Sequence, residues 1–205
     1  MAGVAQQSKS TITLKGSAEI VCDYLNFGIN SILFQRGLYP PENFQTTENY
    51  GLTILMSTDN KIKEFLSTSL NQLKEWLIQR SVNKVALIIT NVKSLEVMER
   101  WDFHIEYEGN PDQPGGQVSD KPLKVIKNEI RDVLKQIASS VAYLPLLDCL
   151  CSFDIQIYTK NGIELPAEWS EAQAAHVKNA QSVKMRSFST NIHKMETVVT
   201  YKNED

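Results

Sequence analysis

Polar residues interrupt the apolar stretch from residue 17 to residue 36 in one narrow stripe. The members of the stripe, at steps of four, three and four, are Glu19, Asp23, Asn26 and Asn30. Side chains three or four residues apart share one side of a helix, so the pattern predicts a helix that is buried on most of its surface. Ser17 is its predicted N-cap, and Gly37 supplies the left-handed residue that often follows a helix end.

Two further segments, residues 59–79 and 122–143, repeat apolar residues every three or four positions and predict amphipathic helices. Thr58 or Asp59 can cap the earlier helix, and Pro145 ends the later one. The predicted inner face of the later helix consists of Leu123, Ile126, Ile130, Val133, Leu134, Ile137 and Val141. Its predicted outer face consists of Lys124, Lys127, Asn128, Arg131 and Lys135.

Four shorter segments predict strands. Residues 51–56 are a short apolar candidate, and residues 85–89 form the continuous apolar run of a strand that is covered on both faces. Residues 100–107 alternate strictly between apolar and polar side chains, and residues 147–158 place their apolar side chains on a common face. Residues 91–94 supply a turn between the second and the third of these strands.

Two remaining segments lack a clear period. Residues 108–121 contain clustered glycines and prolines, which predicts an exposed, mobile loop. Residues 163–205 contain too many apolar residues for a disordered tail, yet they follow neither helical nor strand spacing for long. We therefore expect a poorly specified segment that can pair in more than one place.

Charge and composition narrow the class of protein. The chain has 205 residues, and its 21 Lys and Arg against 24 Asp and Glu give a net charge of -3. Binding to nucleic acid phosphates or to an acidic lipid surface favours a basic excess, so we expect neither nucleic acid nor membrane as a partner. The polar N-terminus lacks the apolar core of a signal peptide, and three cysteines are too few for a disulfide framework. These features favour a reducing compartment.

No catalytic or metal-binding pattern is present in the sequence. His104, His176 and His193 share no metal-ligand spacing, and His104 falls on the polar face of a predicted strand, where we expect it to be solvated. Cys149 and Cys151 lie two residues apart and are expected to be buried core thiols rather than zinc ligands. Phosphate-binding glycine motifs and nucleophile motifs are missing. No cofactor, metal or catalytic residue is therefore predicted.

Several short segments together resemble the spindle-assembly-checkpoint members of the HORMA-domain family. They are residues 16–21 (GSAEIV), 26–33 (NFGINSIL), 35–40 (QRGLYP), 99–101 (ERW), 144–147 (LPLL), 151–154 (CSFD), 186–188 (RSF) and 192–194 (IHK). The resemblance covers about residues 12–202 and is weakest at 108–121. It implies one α+β domain over residues 1–205, with a mainly antiparallel sheet backed by three helices. A flexible arm (1–11) and a mobile C-terminal safety belt (161–205) complete the implied domain.

The resemblance implies a checkpoint protein that is not an enzyme and that switches between an open and a closed state. In the closed state the belt moves to the other side of the sheet and wraps a partner peptide. The implied peptide partners are the Mad-one checkpoint scaffold and the activator of the anaphase-promoting complex, whose capture with a kinase-related subunit delays anaphase. A comet-type antagonist, an AAA+ remodelling ATPase and a second copy of the chain are further implied partners. The implied locations are the nucleus, kinetochore, nuclear envelope and cytoplasm.

The resemblance also implies roles for individual residues. The implied peptide-binding residues are Trp76, Phe153, Ile155, Ile157 and Tyr201. The implied surface for dimerisation and for the antagonist consists of Lys135, Gln136 and Tyr143, and the implied switch residues are Leu14 and Met195. At Lys135 the family usually has an arginine, and lysine loses the planar fork, so weaker pairing is expected. Two alternatives stay open: a HORMA adaptor of a translesion polymerase or meiotic chromosome axis, and a small enzyme without a visible motif.

Overall fold

Three helices lie against an antiparallel sheet in the part of the chain that the structure describes. The computed structural model describes residues 11–109, 118–160, 162, 165–167 and 169–203. The helices are α1 (Leu14–Gln35), α2 (Asn60–Ile78) and α3 (Leu123–Ser139). The strands are β1 (Ile12–Thr13), β2 (Phe44–Asn49), β3 (Leu52–Ser57), β4 (Val82–Asn91), β5 (Val97–Tyr107), β6 (Val118–Ser119), β7 (Cys151–Thr159), β8 (Ala180–Ser189) and β9 (His193–Lys202). Single 3-10 turns occur at Pro41–Asn43 and Ser140–Ala142.

The central sheet has five strands in the order β7–β4–β5–β9–β8, and every neighbouring pair is antiparallel. The hairpin of β8 and β9 therefore pairs with β5, and β7 lies at the opposite edge. Two small sheets, β1 with β6 and β2 with β3, complete the described part of the fold. This architecture confirms the predicted α+β fold with a mainly antiparallel sheet backed by three helices.

Helix α1 runs through the core, and its local capping differs in part from the prediction. Thr13 is the N-cap, because its side-chain oxygen accepts a hydrogen bond from the backbone nitrogen of Gly16 at 3.1 Å. The prediction of Ser17 as the cap is wrong, since Ser17 lies inside the helix and is fully buried. Gly37 follows the helix end with a φ of 64°, as predicted.

Helices α2 and α3 form where predicted, and the structure corrects the extent of the buried face of α3. Asp59 caps α2, because its Oδ1 accepts from the backbone nitrogens of Lys61 at 2.8 Å and Ile62 at 3.2 Å. The inner face of α3 is buried from Ile126 to Ile137. Leu123 and Val141 are 37% and 43% exposed, so the predicted inner face is too long at both ends.

The strand predictions correspond to β3, β4, β5 and β7 and miss the other five described strands. Strand β2 pairs with β3 in a hairpin that the sequence pattern does not indicate. The predicted loop at 108–121 contains β6, which pairs with β1, while residues 110–117 lie outside the described residues. Residues 180–202, for which the sequence indicates neither helix nor strand, form β8 and β9, two strands of 10 residues each. That the segment can pair in more than one place stays a prediction.

A buried ion pair ties the end of α1 to the sheet. The Nε of Arg36 donates to Oε1 of Glu99 at 2.8 Å, and both side chains are 2% exposed. The indole nitrogen of Trp101 donates to the other carboxylate oxygen, and Arg36 also donates to the carbonyl of Pro145. Buried charges need such partners. The network thus fixes the segment that leads from α3 into β7. No helix of the described residues is long and apolar enough to cross a bilayer.

Candidate functional site

A cleft of about 680 Å³ lies between the outer edge of β7 and helix α2. Residues 154–160 of the strand side form one wall, and Phe65 and Trp76 of α2 belong to the other. Residues that join β7 to β8 complete the rim, among them Leu165 and Trp169. The volume lies within the range of ordinary ligand sites in proteins. We call the described residues 165–167 and 169–179 the crossing segment.

The crossing segment begins on the helix side of the sheet. Trp169 packs edge-on against Trp76 of α2, with ring centroids 5.1 Å apart and ring planes at 68°. The backbone nitrogen of Trp169 donates to the carbonyl of Pro166 at 2.9 Å, which forms a tight turn just before the indole. These contacts hold the early part of the segment above the helix wall of the cleft.

The crossing segment ends on the opposite face of the sheet. Ala175 is buried against Ala86 of β4, away from the main core beneath the helices. The Nη1 of Arg100 donates to the carbonyl of Ala175 at 2.6 Å. Between the two faces, the Nε2 of Gln156 on β7 donates to the carbonyl of Gln173 at 3.1 Å. The segment therefore passes around the outer edge of β7.

The outer edge of β7 is suited to pairing with an extended chain. In the described residues, β7 pairs with β4 and has no strand on its other side. A strand edge of this kind presents main-chain N–H and C=O groups to an incoming strand. A peptide in the cleft can take main-chain hydrogen bonds from β7 and side-chain contacts from α2. The arrangement thus supports non-covalent capture of a peptide.

At the opposite edge, the hairpin of β8 and β9 packs into the main core. Phe188 is 2% exposed and contacts the ring of Tyr24 in α1, with centroids 4.9 Å apart. The hydroxyl oxygen of Tyr24 lies 2.6 Å from Oγ1 of Thr197, and burial raises the pKa of Tyr24 above its usual value. The hydroxyl therefore stays protonated and available as a hydrogen-bond donor.

A buried polar network joins the turn of this hairpin to the start of α1. The Nδ1 of His193 lies 2.6 Å from Oγ of Ser17, which lies 2.6 Å from Oγ1 of Thr190. The backbone nitrogen of His193 donates to the same threonine oxygen at 2.9 Å. Burial lowers the pKa of His193 to about 4, so the ring is neutral at pH 7.

Comparison with known proteins identifies the family. The sequence signature of the HORMA domain matches residues 17–193. The chain belongs to the HORMA-domain family. The "Mitotic spindle assembly checkpoint protein MAD2A" of Mus musculus is 46% identical over 191 residues, which cover 93% of each chain. The protein of the same name from Dictyostelium discoideum is 45% identical over 198 residues, which cover 97% of each chain.

A solved structure agrees with the sequence relatives. A chain in the "Crystal Structure of Mitotic Checkpoint Complex" superposes with a TM-score of 0.82 at 32% identity, covering 92% of this chain and 100% of that chain. This HORMA protein is therefore a spindle assembly checkpoint protein, as the sequence predicts. The alternatives of another HORMA assembly are not favoured, because the relatives at 45–46% identity are spindle checkpoint proteins.

The structure brings together most of the predicted peptide-binding residues of this HORMA domain. Trp76, Ile155 and Ile157 line the cleft, and Phe153 lies next to it, 5.7 Å from the ring of Phe65. Their roles in peptide binding stay predictions.

The grouping of Tyr201 with those residues is wrong, because Tyr201 lies on β9, beyond β4 and β5 from the cleft. Its hydroxyl donates to Oε1 of Gln181 on β8 at 3.0 Å. The strand order thus separates Tyr201 from any peptide that lies along β7.

The predicted interface residues differ in whether their side chains are exposed or bonded within the chain. Lys135 is exposed, and Tyr143 is 46% exposed. Gln136 is engaged within the chain, because its Oε1 accepts from the backbone nitrogen of Arg186 at 2.6 Å. Lys135 and Tyr143 are thus open to a partner, whereas Gln136 braces β8.

The predicted switch residues lie in α1 and β9, and their role in a switch stays a prediction. Leu14 is the first residue of α1, and it is half-buried. Met195 lies in β9 and is 1% exposed, opposite Phe188 of β8 and Ile105 of β5.

Sequence reasoning missed the residues that hold the crossing segment. Trp169 stands in a stretch without period, and the guanidinium of Arg100 reaches a carbonyl 75 residues later in the chain. No local pattern indicates either contact. The cluster of Ser17, Thr190 and His193 was missed for the same reason, since its members meet only in the folded chain.

The remaining chemical candidates do not form a metal site in the described residues. His104 is exposed, as predicted. Cys149 and Cys151 are half-buried, so the expectation of buried thiols is wrong for both. Within the described ranges, no three or more His, Cys, Asp or Glu side chains come together as ligands for a metal ion.

Proposed function

We propose that this checkpoint protein captures an extended peptide in the cleft beside β7 and acts as a binding adaptor rather than as an enzyme. One observation carries the proposal. The crossing segment packs on one face of the sheet through Trp169 and on the other through Ala175, so it surrounds the outer edge of β7. A peptide paired with that edge lies inside the segment, and its release requires the segment to open.

The proposed guests are peptide segments of the Mad-one checkpoint scaffold and of the activator of the anaphase-promoting complex. Capture of the activator, together with the kinase-related checkpoint subunit, delays anaphase. Support comes from the structural likeness to a chain of the mitotic checkpoint complex. The proposed sites of action are kinetochores, the nuclear envelope, the nucleus and the cytoplasm.

Loading and release of the guest are proposed to use an open state of the same single domain, residues 1–205. In that state the hairpin of β8 and β9 leaves β5, so Met195 leaves the core that covers it here. The AAA+ remodelling ATPase, with the comet-type antagonist, is proposed to drive this opening from the N-terminal arm, with Leu14 as its anchor. Two packings of one sequence can exchange when they differ by only a few kcal/mol.

Backbone methylation of the guest tests pairing with β7. The N–H groups of an extended peptide point alternately to its two sides, so only every second one can bond to the strand edge. N-methylation of those residues in an activator peptide should weaken binding by tenfold or more, about 1.4 kcal/mol. Methylation of the alternate residues serves as the matched control. Equal losses at both sets, measured by fluorescence anisotropy, would contradict strand pairing.

Cutting the crossing segment tests enclosure of the guest. A protease recognition site inserted between Pro166 and Ala167 interrupts the turn from Pro166 to Trp169 but leaves the ring contact of Trp169 and the packing of Ala175 outside the insert. Cleavage after peptide loading should speed release, because a cut segment no longer closes the path. The same insert in the turn between Lys93 and Ser94 is the control. Unchanged release after cleavage at 166–167 would exclude enclosure.

The exposed end of α3 is proposed as the surface for a second copy and for the antagonist. Tyr143 and Val141 are 46% and 43% exposed, and Lys135 lies nearby on the helix. Reversal of the charge in Lys135→Glu should keep the peptide-bound chain monomeric, with Lys127→Glu on the same helix as control. Sedimentation of mixed bound and unbound chains measures the effect, and undiminished dimerisation of K135E would contradict the proposal.

A further inference from the structure

Two cysteine thiols touch each other just before and at the start of β7. The Sγ atoms of Cys149 and Cys151 are 3.5 Å apart, and both side chains are half-buried and free. A disulfide bond is about 2.05 Å long, so the two sulfur atoms need to approach each other by about 1.5 Å to form one. No part of the peptide-binding proposal uses this pair.

The backbone around the pair is held on one side and open on the other. Cys151 pairs with Asn91 of β4, and its side chain packs against the main core. The carbonyl of Leu150 accepts from the backbone nitrogen of Val92 at 2.9 Å, while the Leu150 side chain is 70% exposed. The intervening residue is thus held by its backbone, while both cysteine side chains keep part of their surface in solvent.

We propose that Cys149 and Cys151 form a reversible dithiol–disulfide couple whose oxidant is a low-molecular-weight disulfide such as glutathione disulfide. In reducing compartments, disulfides are mostly transient and redox-sensing, and this pair has the proximity that such a role needs. The proposal is independent of peptide capture, since it concerns residues that precede the cleft-lining part of β7.

The two thiols have different roles in the exchange. Burial raises the pKa of Cys151 to about 12, with the adjacent Cys149 as the next cause, so Cys151 stays protonated at pH 7. Cys149 therefore attacks first. Its thiolate forms a bond to one sulfur of glutathione disulfide, the S–S bond breaks, and one glutathione thiolate leaves and takes up a proton.

The second step closes the ring. Cys151 gives up its proton and attacks the Cys149 sulfur of the mixed disulfide, and the second glutathione leaves as a thiolate that is then protonated. Capping of Cys149 has by then removed the neighbouring thiolate charge that opposes this ionisation. In total, two cysteines lose two electrons and two protons, and one glutathione disulfide becomes two glutathione molecules. A ring across three residues is strained, so reduced glutathione reverses it.

Intact-protein mass spectrometry tests the couple directly. The reduced full chain is incubated with glutathione disulfide, quenched with acid, unfolded in guanidinium chloride with N-ethylmaleimide at mildly acidic pH, and weighed, so that buried thiols are also alkylated. The expected product has lost the mass of two hydrogen atoms and takes up one alkyl group, on Cys22. Reduced glutathione should restore three alkylated cysteines, the number in the chain. Three alkylated cysteines throughout, or disulfide-linked dimers alone, would overturn the proposal.

Serine variants assign the order of attack. Cys151→Ser removes the thiol that closes the ring, so a glutathione adduct should accumulate on Cys149. Cys149→Ser should stay largely unmodified, because burial, the largest cause of the raised pKa of Cys151, is still present in this variant. Cys22→Ser is the matched control and should form the same disulfide as the parent chain. Adducts of equal yield in C149S and C151S would overturn the order, and a stable adduct on the parent chain would overturn the couple.

Discussion

The two edges of the five-stranded sheet are covered in different ways. Helix α3 braces β8 with directed bonds: Gln136 accepts from the backbone nitrogen of Arg186 at 2.6 Å, and Glu129 accepts from that of Ser189 at 3.2 Å. At the other edge, the crossing segment passes around β7 and leaves a cleft of about 680 Å³ beneath it. One edge is covered by a helix that bonds to it, and the other borders a cleft, where we propose that a peptide binds.

We infer from this difference that the β8 edge mainly determines the stability of the fold, and that the crossing segment mainly affects peptide binding. Residues of the braced edge reach the main core, so changes there should lower the free energy of unfolding. Residues of the crossing segment touch the domain at few points, so changes there should mainly alter the lifetime of a bound peptide. Each prediction below tests this separation, in order of decreasing effect.

The largest effect is expected from Phe188→Ala on β8. The ring is 2% exposed and packs against Tyr24, so its loss leaves a cavity that costs about 3–5 kcal/mol of unfolding free energy. Urea denaturation measures the change. Val183→Ala on the same strand, where the side chain is half-buried, is the control and should cost about 1 kcal/mol. Similar losses in the two variants would mean that β8 does not depend on the core.

Acid should weaken the braced edge through His193. The unfolded chain takes up a proton near pH 6.5, whereas burial lowers the folded-state pKa to about 4. Between these values the unfolded state binds more protons, so stability falls as the pH drops from about 6.5 to 4, by about 3 kcal/mol at most. Urea titrations from pH 7 to pH 4 measure the slope.

Two variants test whether protonation of His193 causes this fall of stability with pH. His193→Gln removes the titrating ring and should flatten the dependence in this window. His104→Gln, at an exposed position on β5, should leave it unchanged. An equal slope in the parent chain and in H193Q would assign the acid sensitivity to other groups.

At the open edge, Trp169→Ala should speed release of a bound peptide by about tenfold, or 1.4 kcal/mol. The indole stack on Trp76 is the main contact of the crossing segment on the helix side. The unfolding free energy of the peptide-free chain should change by only about 1 kcal/mol. Stopped-flow displacement measures the rate, and Leu165→Ala on the cleft rim provides a comparison. A large loss of unfolding free energy with unchanged release would reverse the roles assigned to the two edges.

The smallest effect is expected from Gln136→Ala, which leaves the backbone nitrogen of Arg186 without its acceptor. The loss of one such hydrogen bond costs about 1 kcal/mol. Lys135→Ala, one residue earlier and exposed, should change stability by less than about 0.5 kcal/mol. Equal effects in Q136A and K135A would show that α3 braces β8 through packing alone.

Regular elements could be predicted where the period of apolar residues was intact. The polar stripe around Asn30 and the alternation around Phe103 gave helix α1 and strand β5. In strand β8, the alternation of buried and exposed residues is interrupted. A bulge between Lys184 and Ser187 shifts the period of β8, so Met185 and Phe188 are both buried although they are three residues apart.

The sequence does not indicate strand β9, because polar residues occupy some of its buried positions. His193 and Thr197 alternate with solvent-facing residues of β9 and are buried, yet both look like surface residues in the sequence. Their partners are Ser17 and Tyr24 in the first helix. A contact of this sequence separation has no local signature, and for the same reason Ser17 was mistaken for a cap.

The candidate site could be predicted only through the resemblance. That likeness indicated Trp76 and the face of β7 correctly as neighbours, because whole motifs carry positional information that single residues lack. It placed Tyr201 with them wrongly, since the strand order puts β4 and β5 between. Trp169 belongs to no periodic pattern of apolar residues, and the family resemblance did not indicate it either.

The position of β9 between β5 and β8 has a consequence for biosynthesis. Strand β9 comes after the other four strands of the central sheet in the sequence and lies inside that sheet, so the sheet cannot be completed until β9 has left the ribosome. Pairings between the middle and the end of a sequence are also slow to form, because a long loop must close first. A nascent chain that meets its guest during this interval can fold around it without having to reopen a finished sheet.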